Sequence, residues 1–142
     1  ANLNQYFVEL TKGYTAAADQ IIVKGRVIEI TMAAGGVGRI KFKKLCAEAL
    51  GPADYLEIAR RYHTLLLEDI PRMDEALKNQ AQRFITLIDA LYENKVNLIC
   101  SADAPPNQLY IFGEGVFEFE RLVSRLMEMQ SEEYLSLPHY IE

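Results

Sequence analysis

Four things are missing from this sequence of 142 residues, and each absence removes a class of function. No G-x-x-x-x-G-K-[ST] occurs anywhere, so the chain carries no phosphate loop with which to grip a nucleoside triphosphate. There is no basic surplus. Against 20 Asp and Glu stand 15 Lys and Arg, and the net charge of −5 excludes sequence-independent nucleic-acid binding over the whole surface, which needs a basic face. No apolar run approaches the ~18–20 residues of a membrane span, and no signal-peptide pattern opens the chain. The two cysteines, Cys46 and Cys100, lie far apart with no C-x-x-C and no clustered histidine, which rules out a sequence-encoded zinc site. Both are expected as buried thiols in a reducing compartment.

What is present is enough for an ordinary core: half the residues are hydrophobic and a quarter are charged. With no low-complexity linker and no short repeat, residues 1–142 read as one domain. Leu3, Phe7 and Leu10 share one helical face, with Asn2 as a candidate N-cap and Gly13 as a stop. The period then changes to two. Ile28, Ile30 and Met32 alternate with Val27, Glu29 and Thr31, and Ile40 and Phe42 alternate with Arg39, Lys41 and Lys43. This predicts a hairpin turning between Ala34 and Gly38, with an extra short strand at Ile21–Val23.

Helical spacing returns in "KKLCAEAL" and again in "GPADYLEIARRY", where Asp54 and Glu57 have capping-box spacing and Asp54 is the expected N-cap. "HTLLLEDIP" is an apolar run too short for a helix and ended by Pro71, so it predicts a buried strand with Asp69 at its C-terminal end. Leu77, Ala81, Phe84, Ile88 and Leu91 mark a long helix after Asp74, and "KVNLICSADAPPNQLY" adds a second buried strand. Strand, helix, strand is a βαβ unit, whose strands lie parallel. In "VFEFERLVSRLMEMQ", Phe119, Leu122, Leu126 and Met129 form the core stripe of a last helix. The expected class is α/β: a mixed sheet with an N-terminal hairpin and a βαβ unit, packed by helices.

Several groups of residues are candidates for chemistry. Parallel strand ends gather Glu68, Asp69, Ser101 and Asp103 on one rim, where open α/β sheets place ligands and where two carboxylates could hold a divalent cation or steer a water, as the acidic residues of nucleotide-hydrolysing sites do. The ordinary reading is that acidic residues end strands where the chain turns toward water and a helix N-terminus. "AAGGVGR" suggests a phosphate cradle, but an alternating strand follows it where such motifs need a helix, and a hairpin turn is the better reading. Arg39, Lys41 and Lys43, with Lys44 beside them, read as a solvated edge or outer face guarded by charge. Arg121 and Arg125 stand one turn apart, an arrangement that costs roughly 0.2–0.5 kcal/mol and suits an anion site or a subunit contact. Glu118 and Glu128 could equally lace the same face with ion pairs. His63 and His139 have no partner at a nucleophile or metal spacing.

The blocks "VKGRVIEI", "FKKLC", "ADYLEIARRYHTLLLEDIPRM", "QRFITLIDALYENKVNLICSA" and "FEFERLVSRLMEMQSEEYLSLPH" together resemble the C-terminal half of the AFG/ZapE-type ATPases, P-loop proteins related to the AAA+ class. The resemblance runs from about Ile21 to His139. It implies that the chain is the C-terminal part of a larger ATPase whose phosphate loop, magnesium carboxylates, first sensor and arginine finger lie upstream. On that reading ATP and magnesium belong to the parent and no cofactor to this chain, which is inactive alone. The implied partners are proteins, of the division ring or the inner membrane, with self-association as a further expectation. The implied location is the cytoplasm, at the membrane periphery in part, or the mitochondrion. Arg83, Arg121 and Arg125 fall in family blocks as subunit or nucleotide-edge contacts. Gln82 stands where relatives often carry a second arginine, which weakens a paired basic contact on that helix. Asp69 and Ser101 do not match the family's catalytic motifs; Asp69, Ser101 and Asp103 belong to the alternative, a self-contained nucleotide- or metal-binding domain.

Overall fold

Two hairpins and a parallel βαβ unit share one mixed sheet in the computed structural model, which describes residues 3–110 and 115–130. β1 (Ala17–Val23), β2 (Arg26–Ala34) and β3 (Val37–Lys41) are antiparallel neighbours. β4 (Thr64–Ile70) lies parallel to β3, and β5 (Asn97–Ala102) parallel to β4, giving the order β1-β2-β3-β4-β5. Both hairpins close in two residues with positive φ, Lys24–Gly25 and Gly35–Gly36, the turn form whose twist fits paired strands. Met32 was expected to face inward with Ile28 and Ile30. Ala17 pairs with Ala33 but Asp19 with Ile30, so β2 holds an extra residue; this bulge turns Met32 toward Arg39, and it is exposed.

The main core lies on one face of the sheet. Ile21, Ile28, Ile40, Leu65 and Leu67 meet α2 (Pro52–Arg61), α3 (Lys78–Glu93) and α4 (Val116–Glu128). Phe42, Phe84, Phe119 and Tyr110 run through it as successive ring contacts, with centroids 5.5, 6.1 and 5.5 Å apart. The α4 stripe of Phe119, Leu122, Leu126 and Met129 is buried as its spacing predicts. On the opposite face, α1 (Leu3–Leu10) lays Leu3 and Phe7 on Val37 and Leu66. That explains the unbroken run Leu65-Leu66-Leu67: alternate residues enter different cores, and all are needed.

Several expectations are corrected by this architecture. Leu10 is exposed, because α1 ends there and only its Leu3–Phe7 stripe reaches the sheet. "KKLCAEAL" forms only a five-residue π-helical turn, Lys43–Ala47. The N-cap of α2 is Gly51: Pro52 is preorganised for the first helical position, so the helix starts earlier and Asp54 reaches back at 2.7 Å to the Gly51 N–H. Arg39 lies on an interior strand, covered by α1, and is no solvated edge. β5 is an edge strand with Cys100 exposed, because among the described residues nothing pairs beyond it. The Asn2 cap and His139 in the tail fall outside the described residues.

Candidate functional site

The C-terminal ends of β4 and β5 do bring the rim residues together, through a distortion of β4. Leu67 pairs with Cys100 and Ile70 with Ala102, so three steps on β4 match two on β5. Asp69 sits in the resulting bulge with φ 61°, a left-handed conformation uncommon for any residue but glycine. Its N–H donates to Ser101 Oγ at 2.9 Å, and the Asp103 N–H donates to the Ile70 carbonyl at 2.9 Å. The carboxylates of Asp69 and Asp103 are left at an exposed rim.

Glu68 is drawn away from this rim. Arg39 donates to both its carboxylate oxygens at 2.9 Å, donates to Asn4 Oδ1 at 2.9 Å, and lies 5.9 Å from the Phe7 ring centre. Hydrogen bonding to Glu68 raises the guanidinium above its ordinary value. This fork joins α1, β3 and β4, an arrangement that lysine could not reproduce.

The three candidate arginines take separate places. Arg83 donates at 3.0 Å to the carbonyl of Cys46, fixing the π-helical turn to α3. Arg125 pairs with Asp89 of α3 and stacks 5.0 Å from the Tyr92 ring centre, while Tyr92 donates to Glu128 at 2.7 Å. Arg121 is exposed and has no partner among the described residues. Ion pairs of Glu118 with Arg121 or of Arg125 with Glu128 are likewise absent among the described residues. Gln82 packs its amide against Gly115 at the start of α4.

Sequence reasoning missed a buried polar cluster around the π-helical turn. Tyr55 donates at 2.6 Å to the Leu45 carbonyl, and Asp54, fully buried, receives Arg26 at 2.9 Å. Asp54 Oδ1 has no hydrogen-bond partner among the described residues. Burial pushes the Cys46 thiol up to about 12, so it stays protonated and unreactive at neutral pH. The only linear signal was Gly-Pro-x-Asp, which fixes the start of a helix without saying that the carboxylate is buried.

The Gly35–Gly36 turn is not a phosphate cradle. It runs into β3 where a cradle needs a helix, and the rings of Tyr14 and His63 pack directly on the two glycines. His63 also contacts the Gly35 carbonyl at 3.1 Å and Thr64 Oγ1 at 2.8 Å, tying this turn to β4. Among the described residues no group of three or more His, Cys, Asp or Glu is arranged to hold a metal ion, and no helix is long and apolar enough to cross a membrane.

Comparison with known proteins gives these elements a family. The chain is 43% identical over 100 residues to the cell division protein ZapE of Escherichia coli, covering 70% of this chain and 27% of that protein. It is 34% identical over 144 residues to lactation elevated protein 1 homolog B of Danio rerio, covering 79% of this chain and 29% of that one. The chain thus spans under a third of the length of these two curated relatives. No solved structure matches. The family model described as AFG1-like ATPase matches residues 1–138, reaching past the Ile21 boundary of the resemblance to the first residue. With that match covering nearly the whole chain, this protein belongs to the AFG1-like ATPase family.

Proposed function

We propose that this chain is the C-terminal domain of an AFG/ZapE-type ATPase, without ATP hydrolysis of its own, serving assembly of the parent or engagement of a protein partner. The observation that carries this is the family match over residues 1–138 of a sequence with no phosphate loop. ATP and magnesium then belong to the parent, whose hydrolysis would drive work on a division-ring or inner-membrane protein. The purified chain is expected to turn over no ATP with magnesium. Turnover that co-purifies with the chain through successive columns and falls on substitution of Asp69 would overturn the reading.

A second reading rests on the bulge at Asp69. Left-handed, non-glycine backbone at a strand end is a form in which functional sites store strain, and here it presents two carboxylates and a hydroxyl at the usual ligand position of an α/β sheet. On this reading the rim binds a nucleotide or cation, and Asp69→Asn abolishes the binding.

A further inference from the structure

We propose that β5 is a self-complementary edge through which two copies of this chain join their sheets. The proposal specifies a surface for the assembly half of the reading above and rests on it. Edge strands are normally protected from pairing by charge, proline or a bulge. β1, the opposite edge, is protected by charge: it carries Asp19, bound to Tyr62 at 2.7 Å and facing Arg61 at 3.5 Å. β5 reads Asn-Leu-Ile-Cys-Ser-Ala, with no charge and no proline.

Its hydrogen-bonding groups decide which partner fits. Asn97 N–H donates to His63 and Asp103 N–H to Ile70, so the odd-numbered residues from 97 to 103 turn their backbone groups toward β4. Leu98, Cys100 and Ala102 therefore turn theirs outward, since backbone polarity alternates along a strand. These three positions are symmetric about Cys100. A second β5, antiparallel and related by a two-fold axis at Cys100, places Leu98 opposite Ala102 and Cys100 opposite itself, and all the outward groups of the strand are satisfied. Val96 could not extend this set, because its N–H is already given to the Leu91 carbonyl at 3.0 Å. In that register Asp103 comes opposite Asn97, so no like charges face each other. Such an isologous contact closes after two copies and leaves no further edge of this kind.

The register has a covalent readout. Hydrogen-bonded antiparallel partners have Cα atoms about 5.5 Å apart, within the roughly 4.4–6.8 Å range of a disulfide. Cys100 is exposed, whereas Cys46 is buried. Sedimentation of the purified chain is expected to show a dimer that dissociates on dilution. Desolvation pushes the Cys100 thiol up to about 12, so neutral oxidation is slow; an added thiol oxidant at alkaline pH should link the dimer through Cys100, and Cys100→Ser should abolish the link and keep the dimer. Cys100→Pro removes only outward hydrogen bonds, a substitution edge strands accept, and should give a folded monomer. If that variant melts early, Cys100→Lys at the same exposed position sets like charges opposite each other and should weaken the dimer by roughly fivefold. A chain that stays monomeric at all concentrations, or a dimer that Cys100→Pro and Cys100→Lys leave unchanged, overturns the proposal. ATP turnover is read separately, so failure here and failure of the ATPase-domain reading are distinguishable.

Discussion

The two halves of the sheet solve different burial problems. In β3, β4 and β5 the strands are parallel, and the central strand β4 is covered on both faces: Leu65 and Leu67 enter the main core while Leu66 lies under α1. In β1 and β2 the ribbon is antiparallel and covered on one face, so Ile21 and Ile28 are buried while their neighbours Ile22 and Val27 are 69% and 54% exposed. The chemistry-bearing residues collect where the doubly covered half ends, because there the chain must leave two cores at once and polar groups meet solvent. The antiparallel half supplies the sheet with width and one protected edge.

The contrast can be broken most strongly at a single residue of each half. Leu66→Ala, at a site with no exposure, should cost about 2–5 kcal/mol of unfolding free energy, while Ile22→Ala should stay within about 0.5 kcal/mol. Equal losses in denaturant titration would contradict the two-core account. Next in size is the fork that ties α1 to the parallel half. Arg39→Ala leaves Glu68 largely buried without its partner and should cost about 1–3 kcal/mol, part of which Glu68→Gln restores in the double variant. No recovery would mean that Arg39 acts by packing alone.

A smaller effect of opposite sign is expected at the rim. Asp69→Gly relieves left-handed backbone and should raise stability by under about 1 kcal/mol, since glycine loses more entropy on folding. A loss on calorimetric melting would show that the carboxylate is itself stabilising. The smallest effect belongs to the protected edge. The Tyr62 hydroxyl holds Asp19 below its ordinary value of 3.8, so its contribution is full above that value and is lost as pH falls through the lower folded-state value. Asp19→Asn should therefore melt slightly below the parent chain at pH 7, by no more than about 0.5 kcal/mol for so exposed a pair, with the gap closing in acid. A gap that widens in acid would reverse the assignment.

Much of this division was legible in the sequence. The unbroken Leu65–Leu67 run and the four-residue stripe through α3 were enough to predict a buried strand, a crossover helix and the gathering of Asp69, Ser101 and Asp103. The α4 stripe was equally plain. What was not legible depends on neighbours. Nothing within "NLICSA" says that β5 lies at an edge, because a strand's own apolar pattern does not specify what pairs beyond it. Arg39 resembled its exposed neighbours Lys41, Lys43 and Lys44 until α1, distant in sequence, was laid over it alone. The bulges at Met32 and Asp69 arise from register between two strands, and neither strand contains the mismatch alone. The spacing of Asp54 marks a helix start, but not the Arg26 that arrives from another element to pair with its buried carboxylate.

The most direct test of the account is a calorimetric titration of the purified 142-residue chain with ATP and magnesium, run beside Asp69→Asn. The account predicts no binding heat in either protein, because the sequence has no phosphate loop and, among the described residues, no group of three or more His, Cys, Asp or Glu is arranged to hold a metal ion. Saturable heat in the parent chain that disappears in Asp69→Asn would contradict it and make the Asp69, Ser101 and Asp103 rim a nucleotide site in its own right.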